Sequence, residues 1–346
     1  MIYFNCDYSE GACLEILEKL KTTNFEQLPG YGEDVYSKSA QEKIKKICQC
    51  PEADVHFLIG GTQTNLIVIS SILKSYQGVI SSQTGHINVH ETGAIEATGH
   101  KVLVIQTEDG KLTSEDVLKV YEEHYNDPVR EHVVQPGMVY ISLPTEGGLI
   151  YSKKELEALY RTCQKCHLPL YIDGARLGYG LVSPENDLTL SDIAHLCDVF
   201  YIGGGKIGAL IGEALVITNK NYQENFRYSM KQKGGLLLKG RLLGIQFDVL
   251  FENNLYFKIA KNAVDMALLL KQSIRSLGYP FLYDSPTNQQ FPILPNELIH
   301  KLMEKYSFLI WEKIDETQSA IRLVTSWATK KEDVLEFIKD LESYSL

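Results

Sequence analysis

Two apolar segments, joined by one crossover, decide the fold of this chain. They are LYIDGAR, Leu170–Arg176, and VFYIGGGK, Val199–Lys206. Each has the pattern of a short buried strand, and a polar residue follows each run: Asp173 the first and Lys206 the second. In open α/β sheets, ligands bind at the carboxyl edge of the parallel strands. The two segments therefore predict a ligand site that contains both an acid and a lysine.

The flanking sequence extends this pattern. From residue 55 to residue 218, short apolar runs alternate with segments of helical period. Such alternation predicts a mostly parallel central sheet covered by helices. The last strand of the series, Ala214–Thr218, follows a short glycine-rich turn and is expected to run antiparallel to its neighbour. The segment Asn221–Leu277 is predicted to be almost wholly helical, and the order helix, strand, strand, helix from Asn296 to Leu346 predicts a small C-terminal α+β domain.

Composition and charge exclude several classes of protein. The 346 residues are 44% hydrophobic and 23% charged, as in ordinary globular proteins. The net charge of −10, without a basic block, argues against a nucleic-acid partner. No apolar run approaches the ~20 residues of a membrane helix, and the first residues lack the pattern of a secretory signal, so none is expected. The seven scattered cysteines are typical of a reduced, cytoplasmic protein.

The lysine and the acid point to one type of cofactor. The three glycines before Lys206 allow close approach of the backbone to a ligand. A nucleotide P-loop fits poorly, because Phe200 stands where Gly is required and Ile207 where Ser or Thr is required. A lysine that forms a Schiff base fits better, and Asp173 would keep a pyridine nitrogen protonated. Both suit pyridoxal 5'-phosphate (PLP), although a solvated lysine and a turn-capping Asp173 remain alternatives.

Two further segments suit the same cofactor. The turn GGTQTN, Gly60–Asn65, lies between a strand and a helix, where free backbone N–H groups and the helix dipole favour a phosphate. An ordinary helix N-cap is the alternative. His86 follows a strand end at the same edge of the sheet, where its imidazole could stack on a planar ring or serve only the structure.

No metal site is predicted. Cys163, Cys166 and His167 match the CxxCH string of haem attachment, but they lie at the end of a predicted helix. Cys48 and Cys50 have no partners at a spacing typical of zinc sites. These matches are interpreted as coincidence.

With these residues assembled, the chain resembles the threonine aldolase family, within the fold-type-I PLP enzymes and β-eliminating lyases. The resemblance covers nearly the whole chain. It rests on Asp7, Gly32–Tyr36, Gly61–Gln63, His86 with Glu91 and Gly93, Asp173–Leu177, Gly204–Lys206 and Arg322–Thr325.

The resemblance implies a fold, an activity and residue roles. The fold is α/β of the aspartate-aminotransferase type, and the activity is PLP-dependent retro-aldol cleavage of L-threonine or L-allo-threonine to glycine and an aldehyde. The implied roles are Lys206 as the Schiff-base lysine, Asp173 against the pyridinium, His86 on the ring, Gly61, Thr62 and Gln63 at the phosphate, and Arg176 and Arg322 at the substrate carboxylate or the polar edge of the cofactor.

Two positions depart from the family pattern. Glu146 stands where threonine aldolases commonly have a second His, and Cys6 stands where they have a Ser beside Asp7. Glu146 is therefore the predicted base or hydroxyl-binding group, with His86 as its partner, and Cys6 is a predicted substrate contact. Another PLP-dependent β-eliminating lyase or racemase, and a non-catalytic PLP-binding assembly protein, remain alternatives.

The resemblance also implies an assembly. Family members are homotetramers, built as dimers of dimers with shared active sites, so Tyr31, Tyr36 and the stretch around Lys239 are expected to serve the neighbouring subunit. Within one chain, three parts are expected: an N-terminal arm with the first helices over residues 1–50, a large PLP-binding domain over 51–250, and a long connecting helix with the small C-terminal domain over 251–346.

Overall fold

The computed structural model describes residues 1–344. Its strands are β1 (Ile2–Tyr3), β2 (Asp54–Leu58), β3 (Gln77–Ser82), β4 (Val102–Ile105), β5 (Gln135–Ser142), β6 (Leu170–Asp173), β7 (Val199–Gly203), β8 (Glu213–Ile217), β9 (Gln289–Gln290), β10 (Ile293–Pro295), β11 (Tyr306–Ser307), β12 (Leu309–Lys313) and β13 (Gln318–Val324). Its α-helices are α1 (Leu14–Thr22), α2 (Val35–Ile47), α3 (Gly61–Ile72), α4 (His86–Val89), α5 (Ser114–Asn126), α6 (Lys153–Lys165), α7 (Leu177–Leu181), α8 (Leu190–His195), α9 (Phe226–Gln232), α10 (Arg241–Leu250), α11 (Leu255–Ser276), α12 (Asn296–Met303) and α13 (Lys331–Tyr344).

A seven-stranded sheet forms the centre of the molecule, in the order β2-β8-β7-β6-β5-β3-β4. The pairs β7–β6, β6–β5, β5–β3 and β3–β4 are parallel, whereas β8 is antiparallel to both of its neighbours. The predicted mostly parallel sheet is confirmed, including its antiparallel strand. Because β5, β6 and β7 run side by side in one direction, the residues that follow them meet at one edge.

The strands alternate between two buried faces, as the period of two requires. On one face, Tyr171 and Tyr201 belong to a cluster with Val68 of α3. On the other, Ile172 and Phe200 belong to a larger cluster with Phe247 of α10. Burying one such apolar side chain contributes roughly 1.5–3 kcal/mol, so both helical layers hold the central strands in place.

Local signals set several helix boundaries. The Ser152 hydroxyl and the Glu155 carboxylate form a capping box at the start of α6. Helix α2 begins at Val35, because Oδ1 of Asp34 accepts hydrogen bonds from the backbone N–H groups of Tyr36 and Ser37. The segment Asn221–Leu277, predicted to be almost wholly helical, contains the three α-helices α9, α10 and α11.

The C-terminal part joins the N-terminus to the site. The predicted order of helix, strand, strand and helix has one additional short strand, β11, which pairs in parallel with β1. Beyond β1, the backbone N–H of Phe4 donates to Ser307 O at 2.7 Å, and that of Val324 donates to Phe4 O at 2.9 Å. These hydrogen bonds fix the backbone at Phe4, three residues before Asp7, against the C-terminal strands. In residues 1–344, no helix combines the length and apolar character needed to cross a membrane.

Candidate active site

A cavity of about 520 Å³ opens at the carboxyl edge of the central sheet. Its walls come from the strand ends, from the start of α3 and from the C-terminal β-strands. The lining residues are Tyr8, Gly61, Thr62, His86, His90, Glu146, Asp173, Ala175, Arg176, Tyr201, Lys206, Glu213, Gln289, Leu309, Trp311 and Arg322. The fold thus brings together eight of the ten predicted site residues.

A larger groove of about 800 Å³ lies between α1 and the region around α10 and α11. It is open, and its acidic residues Asp248 and Glu252 pair with Lys43. None of the predicted site residues lines it. The smaller cavity is therefore the candidate active site.

Asp173 is a buried carboxylate at the end of β6, and hydrogen bonds hold it in place. Its Oδ2 accepts from the Tyr140 hydroxyl at 2.7 Å and from Asn65 Nδ2 at 3.1 Å. Its Oδ1 accepts from the Tyr201 hydroxyl and from the backbone N–H of Ala175. Burial raises the pKa of Asp173, but the charge of His86 and these hydrogen bonds outweigh it, so the pKa lies below its usual value. The group is an anion suited to pair with a protonated ring nitrogen.

Lys206 projects from a tight turn after β7. A Cβ atom at Gly204 would lie 2.7 Å from the Phe247 ring and 2.8 Å from the carbonyl oxygen of Gly212, so glycine allows this close packing. Burial lowers the pKa of Lys206, and the guanidinium of Arg176 lowers it further. The lysine is thereby shifted towards the neutral amine that Schiff-base chemistry requires.

His86 is oriented by a buried carboxylate. Its Nδ1 lies 2.8 Å from Oε1 of Glu91, and the same oxygen accepts from Asn65 Nδ2 at 2.7 Å. Burial lowers the pKa of His86, but the hydrogen bond to Glu91 and the charge of Asp173 raise it above its usual value. Because Nδ1 is engaged by Glu91, the imidazole is held in one orientation at the cavity wall.

Glu146 lies at the carboxyl edge of β5, four residues after Ser142. Its Oε1 accepts from the Ser142 hydroxyl at 2.7 Å and from the backbone N–H of His86 at 3.0 Å. The contact with His86 is therefore to its backbone. Burial raises the pKa of Glu146 above its usual value, which makes the carboxylate a stronger base.

The two arginines have different environments. Arg176 forms a two-point ion pair with the fully buried Asp7, with Nε to Oδ2 at 2.8 Å and Nη2 to Oδ1 at 3.0 Å. Arg322 donates from Nη2 to the backbone carbonyl of Asn5 at 3.3 Å and lies 5.0 Å from the ring centroid of Trp311. Its buried Nε has no hydrogen-bond partner in the described part of the chain. A bound carboxylate would satisfy this donor.

Two predicted site residues lie outside the cavity lining. The Gln63 amide donates to Lys233 O at 3.2 Å and accepts from Ile59 N at 3.4 Å, so it braces the turn before α3. The thiol of Cys6 lies 3.2 Å from the Ser9 hydroxyl. The roles of Gln63 at a phosphate and of Cys6 at a substrate stay predictions.

Several lining or supporting residues were missed from the sequence. Tyr140 and Tyr201 bond Asp173, and their polar-tipped rings on buried strands are a recognisable signal. Glu213 is the first residue of the antiparallel strand β8, and antiparallel direction brings a first residue to the carboxyl edge of its neighbours. Trp311 on β12 carried no such signal, because its approach to Arg322 depends on tertiary packing.

The residues present fit PLP. A Cβ atom at Gly61 would lie 2.9 Å from the Tyr201 hydroxyl, so only glycine keeps the start of α3 this close to the cavity floor. The first N–H groups of α3 have no partner within the helix and suit a phosphate. Asp173 suits a pyridinium and Lys206 suits an aldehyde. These groups therefore match the phosphate, the ring nitrogen and the aldehyde carbon of PLP.

Comparisons with known proteins agree with this geometry. Residues 11–295 match the family model described as "Beta-eliminating lyase". A low specificity L-threonine aldolase of Pseudomonas sp. (strain NCIMB 10558) is 28% identical over 98% of this chain and 97% of the relative. The solved Leishmania major threonine aldolase is 43% identical, with a TM-score of 0.97 over 100% of both chains. A single-mutant Thermus thermophilus aspartate aminotransferase, 15% identical with a TM-score of 0.71, covers 100% of this chain and 92% of its own, which confirms the predicted fold type. The chain belongs to the threonine aldolase family, within the β-eliminating lyases.

Proposed function

We propose that this protein cleaves a β-hydroxy-α-amino acid, L-threonine or L-allo-threonine, to glycine and an aldehyde in a PLP-dependent retro-aldol reaction. One observation carries the proposal. Lys206, the anionic Asp173 and Arg322 line a single cavity, and the buried Nε of Arg322 has no hydrogen-bond partner among residues 1–344. The names of the relatives, low specificity L-threonine aldolases, support the choice of substrate class.

The chain's own residues would hold the cofactor at three points. Asp173 would pair with the ring nitrogen, the start of α3 at Gly61 and Thr62 would bind the phosphate, and His86 would cover the ring. Lys206, with its lowered pKa, would bind the aldehyde carbon. When bound, PLP supplies an electron sink for the pair released at the substrate's Cα.

Arg322 is assigned to the substrate carboxylate. Asp7 already occupies Nε and Nη2 of Arg176, whereas Nε of Arg322 is free to donate. Fixing the carboxylate orients the bonds at Cα, and in an aldolase the Cα–Cβ bond must face the electron sink. Arg176 then serves mainly to place positive charge beside Lys206, which lowers the pKa of that lysine.

Glu146 is assigned as the base for the β-hydroxyl. Both hydrogen bonds that it receives go to Oε1, which leaves Oε2 for the substrate. The carboxylate takes the hydroxyl proton, the O–H electron pair forms the carbonyl of the aldehyde, and the Cα–Cβ bond breaks. Cα then takes up a proton to give glycine. General-base help of this kind contributes about 10²–10⁴ in rate.

The test combines a spectrum with a product assay. Purified protein supplied with PLP should be yellow, and Lys206→Ala should lose the visible band, whereas Lys119→Ala, a change at an exposed lysine on α5, should keep it. L-Threonine should give glycine and acetaldehyde. Pyruvate from serine or cysteine would favour another β-eliminating lyase, and racemised substrate would favour a racemase. A yellow protein without any turnover would favour a PLP-binding assembly protein, and a colourless one would refute the cofactor assignment.

We also propose that the protein is a cytoplasmic homotetramer, a dimer of dimers with shared active sites. All seven cysteines are free thiols, as a reducing compartment favours. Tyr31, Tyr36 and Lys239 lie outside the lining of the cavity in their own chain, and Tyr31 and Lys239 are exposed. Light scattering should give four copies. Mixing inactive Lys206→Ala with inactive Tyr31→Ala should restore activity if Tyr31 serves the neighbouring site.

A further inference from the structure

Glu213 is a buried acid at the floor of the candidate active site, and the reaction outlined above does not use it. Its side chain is on the face of β8 that also carries Leu215 and is 8% exposed. In the sheet it lies opposite Gly203 of β7 and Leu58 of β2. Glu213 therefore sits laterally between the start of α3 and the turn that carries Lys206, and it lines the cavity with both.

Among the described residues, Lys206 is the cation that acts on Glu213. Its Oε2 accepts from the backbone N–H of Gly204, in the lysine turn, at 3.3 Å. The charged or titratable groups that face it are Lys206 from that turn, Asp173 and Tyr171 from β6, Tyr201 from β7 and Tyr256 from α11. Burial raises the pKa of Glu213 to about 8, while the charge of Lys206 opposes the rise. The carboxyl and the amine are thus brought towards similar proton affinity.

The other acids near Lys206 are already committed. Asp7 accepts two hydrogen bonds from Arg176 and one from Asn288. Burial raises the pKa of Asp7, but the charge of Arg176 outweighs this effect, so the pKa lies below its usual value. Asp173 accepts four hydrogen bonds and has a lowered pKa. Weakly basic carboxylates of this kind are poor proton acceptors at neutral pH. Unlike Asp7 and Asp173, Glu213 has a raised pKa and can therefore accept a proton from Lys206 near neutral pH.

We propose that Glu213 accepts the proton that Lys206 must lose before its Nζ can attack the cofactor's aldehyde, and that it returns the proton when the lysine is released. One N–H bond of the ammonium breaks, its electron pair stays on Nζ, and an O–H bond forms on Glu213. The step needs no oxidant or reductant. The proposal rests on the proposed function, in which Lys206 is the amine that binds PLP.

The experiment measures how fast apoprotein and added PLP form the visible band, from about pH 6 to about pH 9, the range in which a proton could pass between these two groups. Glu213→Gln keeps the shape of the side chain and removes the base. We expect its rate constant to fall by about tenfold or more, with the final absorbance retained. Glu213→Asp should recover part of the rate. Glu213→Ala leaves space for a small acid, so added formate should accelerate it in proportion to concentration, whereas Glu224→Gln, at an exposed position, should match the unmodified protein.

The controls separate this inference from the proposed function. A wild-type rate in Glu213→Gln across the whole pH range would overturn the role of Glu213 while leaving the cofactor assignment intact. A slow Glu213→Ala variant that ignores formate would also overturn it, because a merely structural role predicts slow binding without rescue. If the unmodified protein forms no band that depends on Lys206, the proposed function fails first.

Discussion

The hydroxyl of Tyr140 donates a 2.7 Å hydrogen bond to Oδ2 of Asp173, and both groups are buried. The bond joins neighbouring strands, since Ser142 of β5, two residues after the tyrosine, lies beside Asp173 in register. Because the hydrogen bond favours the ionised carboxylate, Tyr140 helps to keep Asp173 charged at the point where a pyridinium would bind.

Replacing Tyr140 by Phe should weaken PLP binding. A hydrogen bond to a charged group contributes about 1.5–3 kcal/mol, so we expect the dissociation constant for PLP to rise by about tenfold or more. Tyr151→Phe is the matched control, because that buried hydroxyl accepts from Leu112 N outside the cavity lining. Titration of apoprotein with PLP measures both. Equal affinity in Tyr140→Phe and the unmodified protein would show that Asp173 does not depend on this bond.

Glu146→Gln should separate catalysis from cofactor binding. The amide cannot take the β-hydroxyl proton, so kcat should fall by about 10²–10⁴ while the absorbance of bound PLP stays unchanged. Burial raises the pKa of Glu146, and the base acts only when ionised, so activity should fall as the pH falls through this raised pKa. The residual activity of Glu146→Gln should not show this fall at low pH. Glu157→Gln on α6 is the control, and an unchanged kcat in Glu146→Gln would contradict the assignment.

The sequence predicted those site residues whose positions follow from local strand patterns, and such patterns did not predict those that reach the cavity through tertiary packing. Asp173 and Lys206 stand at strand ends, so a local pattern placed them at one edge of a parallel sheet. Glu146, which also follows a strand, was identified through the family resemblance. Arg322 was found only through the family resemblance, because β13 reaches the cavity through the packing of the small C-terminal domain.

The remaining features are tertiary. No local rule predicts that Asp7 is carried to Arg176 by pairing of β1 with β11, or that Trp311 covers Arg322. Cys6 shows that a position next to a site residue in sequence does not by itself bring a side chain into the site. It is adjacent to Asp7 in sequence, yet its thiol lies beside Ser9, because successive side chains in an extended segment point in different directions.

Asp7→Asn should destabilise the fold, and the loss should depend on pH. Removing one partner of a buried ion pair leaves Arg176 uncompensated, so the free energy of unfolding at neutral pH should fall by about 3–5 kcal/mol. The folded-state pKa of Asp7 is lowered, so its contribution is present above the unfolded pKa and is lost as the pH falls below about 4 towards the folded value. Urea unfolding across this range measures the difference, which should shrink in acid.

The double variant Asp7→Asn with Arg176→Met is the control for the ion pair, because it removes both charges. It should be more stable than Asp7→Asn alone. A single variant as stable as the unmodified protein would mean that solvent reaches Arg176 and that the pair is not a structural anchor for the N-terminal segment.

Arg322→Met should raise the KM for L-threonine much more than it changes the affinity for PLP. The free Nε of Arg322 is the donor assigned to the substrate carboxylate, and loss of a charged hydrogen bond corresponds to about 1.5–3 kcal/mol, or a rise in KM of about tenfold or more. Arg322→Lys should recover only part of this, because an ammonium cannot present two parallel donors. L-Threoninol, which lacks the carboxylate, provides the decisive comparison as an inhibitor. Its affinity should be nearly the same in the variant and the unmodified protein, whereas Arg161→Met, on the exposed face of α6, should leave both ligands unaffected. If threonine and threoninol lose affinity equally in Arg322→Met, the arginine shapes the cavity without binding the carboxylate.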